Sequence, residues 1–199
     1  PFKNSVIPFL DNLSSEAKKT NSVNTICIEE EKVVGHNTDI AGFELALRYV
    51  NYDVKRKKAF IIGAGGVSPS IIFALKNMGC ENICLTNRTF EKAEKIKETF
   101  NDITIQKWGD IPEFDIAINA TSVGLKNESF DLKLNNFGNN KFFYDVIYNP
   151  SETNFLKDAK LKGNKTENGK MMFIYQAHQS FTIWNKVMPK IDDETIKLI

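Results

Sequence analysis

An α/β fold built on a parallel sheet is what this sequence predicts, on three observations. Short β-branched and aromatic runs alternate with helical segments through the middle of the chain, joined by short connections. One run, Ala59-Phe60-Ile61-Ile62, is continuously apolar, as expected of a strand covered on both faces. A glycine-rich turn follows it directly and opens a helical segment.

The elements follow in order along the chain. Ahead of Lys55 the pattern predicts a small helix near 15–19, a strand at 23–28, a hairpin turn at 29–32 and an amphipathic helix over 38–50. After the strand at 59–62 comes a helix over about 67–78. Pro69 falls in its first turn, where a missing N–H costs nothing, and Gly79 can close it in a left-handed cap. Ile83-Cys84-Leu85-Thr86 is the second strand and 91–100 the second helix. Strands three and four are expected at 103–106 and 114–119, and a fifth at 142–148, stopped by Asn149-Pro150. A short helix over 152–161 completes this region. Near the C-terminal end, Ile174, Ala177, Phe181, Trp184 and Met188 recur at three- and four-residue steps, which predicts a long helix with that stripe packed as core.

Bulk properties narrow the function. The 199 residues carry a formal net charge of +1 with acids and bases interspersed, so the footprint of a nucleic-acid binder is missing. The densest basic run, Lys55-Arg56-Lys57-Lys58, leads into an apolar strand and reads as a solvated loop. No apolar run reaches membrane-spanning length and no signal peptide is visible, so no membrane partner and a cytoplasmic location are expected. The cysteines, Cys27, Cys80 and Cys84, are odd in number and lack zinc-ligand spacing; they read as buried reduced thiols, with no metal site.

Gly63-Ala64-Gly65-Gly66-Val67-Ser68 fits G-x-G-x-x-G/A with serine in the third small position. Gly63 makes the tight turn, Gly65 lets backbone approach a pyrophosphate, and Ser68 is small enough for the helix to lie against the strand. The helix N-terminus then presents free N–H groups to phosphate. Any strand-to-helix turn can use glycine, but a buried strand before and a helix after favour a Rossmann dinucleotide site over a structural turn. The end of the second strand selects the nucleotide. An NAD enzyme usually places an acid there for the ribose hydroxyls, whereas this chain reads Thr86-Asn87-Arg88-Thr89 with no acid before Glu91. Arg88 offers a planar, permanently charged fork suited to a 2′-phosphate, so NADP(H) is the expected cofactor. The missing acid also argues against a methyltransferase. Asn119-Ala120-Thr121-Ser122-Val123-Gly124 follows strand four at the sheet edge where ligands bind, and reads equally as a nicotinamide-ribose loop or a plain turn.

Several motifs together carry a resemblance: Pro1-Phe2-Lys3, Val23-Asn24-Thr25, Asn37-Thr38-Asp39 with Gly42, Gly63–Ser68, Asn87-Arg88-Thr89, Asn119–Gly124, Tyr148-Asn149-Pro150, and Gly169 with Met172 and Gln176. In that order and over almost the whole chain, the sequence resembles the shikimate dehydrogenase family. The resemblance implies NADPH-dependent reduction of 3-dehydroshikimate to shikimate in aromatic amino-acid biosynthesis. It implies that Lys3 and Asp39 are the catalytic pair, that Asn24 and Gln176 bind substrate hydroxyls, and that Tyr148 lies at the substrate pocket. Gly169 and Met172 would sit near the nicotinamide, with Gly63, Ala64, Gly65, Gly66, Val67, Asn87, Arg88, Thr89 and Thr121 on the rest of the cofactor. Read singly, Lys3 is a surface lysine, Asp39 a helix cap, Asn24 a strand-end amide and Gln176 a solvent-facing residue. His36 and His178 match no catalytic position of the family and read as structural.

The expected layout is a Rossmann domain over 55–168 and a truncated α/β substrate domain from 1–54 and 169–199. The family places a threonine-containing strand and paired serines ahead of its lysine motif, whereas this sequence opens at Pro1. A fragment that binds cofactor but turns over shikimate poorly is therefore expected as an alternative, as is an NAD-using quinate/shikimate dehydrogenase. The partner is a small molecule, and monomer and homodimer are both open.

Overall fold

Six parallel strands form the larger of two sheets in the computed structural model, which describes residues 2–132 and 138–198. Pro1, the first residue of the Pro1-Phe2-Lys3 motif, lies outside the described residues. The strands are β4 (Lys58–Ile62), β5 (Asn82–Thr86), β6 (Thr104–Gln106), β7 (Ile116–Asn119), β8 (Phe142–Asp145) and β9 (Lys165–Glu167), in the order β6-β5-β4-β7-β8-β9. The chain winds outward from β4 and then crosses back to β7, so β4 and β7 are neighbours at a topological switch point.

Both faces of this sheet are covered, which explains the unbroken apolar runs. On one face Ala59 and Ile61 of β4, Ile116 and Ile118 of β7 and Tyr144 of β8 pack with Phe43 and Leu47 of α2 (Asp39–Tyr49). Ile71 and Leu75 of α3 (Ser68–Asn77), Ala93 of α4 (Phe90–Thr99) and Met171, Met172 and Ile174 of α6 (Lys170–Asn185) complete that layer. On the other face Phe60, Ile62, Ala117 and Phe143 pack against Phe155, Leu156 and Ala159 of α5 (Asn154–Leu161).

The smaller sheet has the order β1-β3-β2, with β1 (Asn12–Leu13) parallel to β3 (Lys32–His36) and β2 (Thr25–Glu29) antiparallel to it. The short helix α1 (Ser15–Thr20) is capped by Ser14, whose Oγ accepts from the Ala17 N–H. The β2–β3 turn is the hairpin expected at 29–32. Its two central residues, Glu30 and Glu31, have φ of 49° and 64°, the left-handed pair a two-residue turn needs.

Several expectations change. The strand expected at 142–148 stops at Asp145. Strands β1 and β9 and the helix α7 (Asp193–Lys197) were not foreseen, being too short to show a period. Only Cys84 is buried; Cys27 and Cys80 are partly exposed. The largest correction concerns α6. Of the stripe expected in the core, Ile174 is buried, but Ala177, Phe181 and Trp184 are exposed. Met188 lies beyond the helix, which ends at Asn185 with Lys186 left-handed. The face turned inward instead carries Met171, Met172, Ile174 and Ser180. It packs on α2 where Gly42 has no side chain, since a Cβ there would lie 2.9 Å from both Met172 O and Gln176 Cβ.

Candidate functional site

The loop after β4 is shaped by its own hydrogen bonds. Gly63 has φ of +110°, a conformation L side chains rarely adopt, and a Cβ there would lie 2.6 Å from Thr121 Cγ2. Ser68 Oγ donates to Gly63 O at 2.7 Å and accepts from the Gly65 N–H at 3.1 Å, drawing the loop back onto the first turn of α3. Asn87, at the end of β5, accepts from the Ala64 N–H at 3.0 Å and donates to Thr89 O at 2.7 Å. One side chain thus braces the glycine turn and the Arg88 loop against each other.

These loops line a cavity of about 460 Å³ beyond the C-terminal ends of β4, β5 and β7. Gly63, Ala64, Gly65, Asn87, Arg88, Thr89 and Thr121 line it, as expected of cofactor residues, together with Lys92, Trp108 and Asp131. Lys92 was missed by sequence reasoning; its signal is a second cation in the first turn of the helix after Arg88. A glycine turn at a helix N-terminus with two cations at its far end fits a phosphorylated dinucleotide, the adenosine 2′-phosphate toward Arg88 and Lys92. Gly66, Val67, Gly169 and Met172 do not line this cavity. Met172 is buried in the core, and Gly169 is packed so closely that a Cβ would fall 2.1 Å from Val146 O.

A second cluster lies beside the glycine turn. Lys3 Nζ donates to Asp39 Oδ2 in an ion pair whose carboxylate side chain is only 8% exposed. Asn24 Nδ2 reaches Asp39 Oδ1 at 2.9 Å, Thr38 Oγ1 at 2.9 Å and Gln176 Oε1 at 3.4 Å, while Asn24 Oδ1 accepts from the Thr38 N–H at 2.9 Å. Four expected site residues from four segments therefore meet in one place. Asp39 is the first residue of α2 and makes no cap bond, so the helix-cap alternative falls. Tyr148 stands apart from these hydrogen bonds, 39% exposed and stacked on Phe173 with ring centroids 4.5 Å apart.

Buried polar groups hold the cluster. Asn37 Nδ2 contacts Thr20 Oγ1, Ser22 O and Ser70 Oγ at 2.8–3.1 Å, and its Oδ1 accepts from the Asp39 N–H at 3.0 Å. Ser180 Oγ lies 2.6 Å from Thr25 Oγ1 and 3.1 Å from Thr38 Oγ1, tying α6 to β2 and α2. Apart from the cluster, Asp145, fully buried at the end of β8, accepts from Thr153 Oγ1, the Ile147 N–H and Asn119 Nδ2 at 2.6–3.0 Å and so fixes the loop after β7. Burial pushes its carboxyl above the usual carboxylate range, and these donors oppose that rise. Ser22 and Ser180 carried no sequence signal, because their partners lie far off along the chain.

The two clusters touch. Ser22 Oγ donates to Gly66 O at 3.1 Å, and a Cβ on Gly66 would lie 3.5 Å from Lys3 Cδ. The aliphatic stem of Lys3 thus lies along Gly66 of the glycine turn, while its ammonium is held by Asp39.

Known proteins resemble this chain in sequence and in fold. Residues 44–146 match the family described as shikimate / quinate 5-dehydrogenase. The chain is 55% identical over 200 residues to the shikimate dehydrogenase (NADP(+)) of Pelagibacter ubique (strain HTCC1062), covering all of this chain and 76% of that protein. It is similar in structure to shikimate dehydrogenase from Aquifex aeolicus, with a TM-score of 0.87 and 35% identity over 100% of this chain and 73% of that one. It is also similar to shikimate 5-dehydrogenase from Thermus thermophilus, solved in complex with NADP(H) and shikimate. There the TM-score is 0.88 and the identity 32%, over 100% of this chain and 74% of that one.

Proposed function

As the chain belongs to the shikimate / quinate 5-dehydrogenase family, we propose that it is an NADP-dependent oxidoreductase reducing 3-dehydroshikimate reversibly to shikimate, with Lys3 and Asp39 as its catalytic pair. The observation that carries this reading is the Lys3–Asp39 ion pair, with the stem of Lys3 lying against Gly66 of the glycine turn. NADPH, when bound along Gly63–Gly65 and Arg88, supplies the hydride.

The chain's own residues handle the other half of the chemistry. Reduction of a ketone builds negative charge on its oxygen, which must be met by a proton donor or a cation. A lysine ammonium is both at neutral pH, its free value being about 10.4. Asp39 aims that ammonium and, with Asn24 and Gln176, offers donors and acceptors to the hydroxyls of a polyol. On this reading residues 1–54 and 169–199 form the substrate-binding part and 55–168 the cofactor domain, with Tyr148 at the substrate pocket and Gly169 and Met172 supporting the nicotinamide end. Among the described residues no helix is long and apolar enough to cross a membrane. Three free cysteines support a reducing, cytoplasmic setting.

The test is turnover by the protein as its gene encodes it. Lys3→Ala is expected to lower kcat by about 10²–10⁴-fold. Near-normal kcat would remove Lys3 from the chemistry, and retained NADPH binding with no shikimate oxidation even in the unmodified protein would favour a non-catalytic NADPH-binding module.

A further inference from the structure

Away from this site, the β2–β3 hairpin brings together three side chains that can act as metal ligands. In the hairpin register Thr25 pairs with His36, Cys27 with Val34 and Glu29 with Lys32, so Cys27, Glu29 and His36 share one face of the small sheet. Cys27 Sγ lies 3.3 Å from Glu29 Oε1, and His36 Nε2 lies 3.2 Å from the same oxygen. The three ligand atoms all fall within 4.8 Å of one another. His36 Nε2 is buried and has no hydrogen-bond partner beyond this approach to Glu29. Of the groups around it, Lys186 Nζ approaches Glu29 Oε1 at 3.9 Å.

From this juxtaposition we propose that Cys27, Glu29 and His36 form a binding site for a zinc-class divalent cation. Zinc takes thiolate sulfur at about 2.3 Å and imidazole nitrogen or carboxylate oxygen at about 2.0–2.2 Å. A tetrahedron with those bonds has edges of roughly 3.3–3.7 Å. The separations to the shared Glu29 oxygen, 3.3 and 3.2 Å, are close to that size, and Cys27 Sγ and His36 Nε2 fall within 4.8 Å of each other. One thiolate, one imidazole and one carboxylate suit a borderline-soft ion over calcium or magnesium, which prefer all-oxygen sites. Binding releases the Cys27 thiol proton, takes Glu29 Oε1 away from Lys186 and gives His36 Nε2 its missing partner. Water fills the fourth position. Cysteine spacing hid this site, since a single cysteine and a histidine on the opposite strand make no zinc pattern.

The ion would staple β2 to β3 next to the working residues without using any of them. The Asn24 N–H donates to His36 O at 3.0 Å, and Asn37-Thr38-Asp39 follow His36 directly. Binding should therefore raise the melting temperature through preferential binding to the folded form.

The experiment is titration of the purified chain with Zn²⁺ by equilibrium dialysis and with Co²⁺ by absorption spectroscopy. One ion per chain is expected, with a near-ultraviolet thiolate-to-cobalt charge-transfer band and a higher melting temperature. Cys27→Ser should abolish the band and lower zinc affinity at least tenfold while leaving metal-free NADPH-dependent turnover unchanged. His36→Gln should also weaken binding, and Cys80→Ser should not. Absence of a bound ion at submillimolar metal overturns the site, as does a band that survives Cys27→Ser or disappears with Cys80→Ser. Circular dichroism of each variant shows whether a lost band reflects lost ligands or lost fold; a Cys27→Ser chain that is folded and still binds one ion equally well counts against the site.

Discussion

The cofactor cavity and the Lys3 cluster adjoin each other, yet they are built from different materials. One wall of the cavity comes from two nearby loops, Gly63–Gly65 and Asn87–Thr89, and much of it is backbone shaped by internal hydrogen bonds. The cluster instead gathers the side chains of Lys3, Asn24, Asp39 and Gln176 from distant segments and holds them with buried amides and hydroxyls. A wall made of backbone is injured by an added Cβ, whereas a cluster made of side chains is injured by a deletion. The first should fail in binding and folding, and the second in chemistry.

Four substitutions would break or sharpen that contrast. The largest effect is expected at the cluster: Asp39→Ala should lower kcat by about 10²-fold or more, because it leaves the Lys3 ammonium unaimed, with NADPH affinity little changed. Steady-state kinetics beside fluorescence titration of NADPH would show the split. Gly63→Ala comes next. Its positive φ and the contact with Thr121 should destabilise the fold by about 1–3 kcal/mol and weaken NADPH binding together, measured by thermal melts and titration. Arg88→Ala should cost about 1.5–3 kcal/mol of NADP(H) affinity, the worth of charge-assisted hydrogen bonds, and leave NAD(H) affinity nearly unchanged. An unchanged NADP preference would point to Lys92 as the main phosphate contact, and a preference for NAD(H) already in the unmodified protein would point to the NAD-using quinate/shikimate alternative. Phe181→Ser is the smallest: at a 44% exposed position it should shift stability by less than about 0.5 kcal/mol, whereas a core stripe would lose several.

The same contrast explains what could be read from sequence. The strand at 59–62, the glycine turn and Arg88 were legible because each signal is local: a buried run, a required φ, a cation at a strand end. The Lys3 cluster was legible only through family resemblance, since Lys3, Asn24 and Gln176 taken singly look like surface or strand-end residues. Its supports, Ser22 and Ser180, were invisible because their partners are supplied by the fold. The α6 stripe misled for a different reason. Apolar residues occupy two adjacent faces of that helix, and periodicity alone does not say which one meets Gly42 of α2. β1 and β9, at two and three residues, are too short to carry a period at all.

The measurement that bears most directly on the two-part site is a double-mutant cycle between Lys3→Ala and Arg88→Ala, read as kcat/KM for 3-dehydroshikimate at subsaturating NADPH. If Lys3 serves proton chemistry while Arg88 grips the cofactor, the losses add to within about 0.5 kcal/mol, and NADPH affinity falls only where Arg88 is changed. A coupling above about 1 kcal/mol, or weakened NADPH binding in Lys3→Ala alone, would contradict that division.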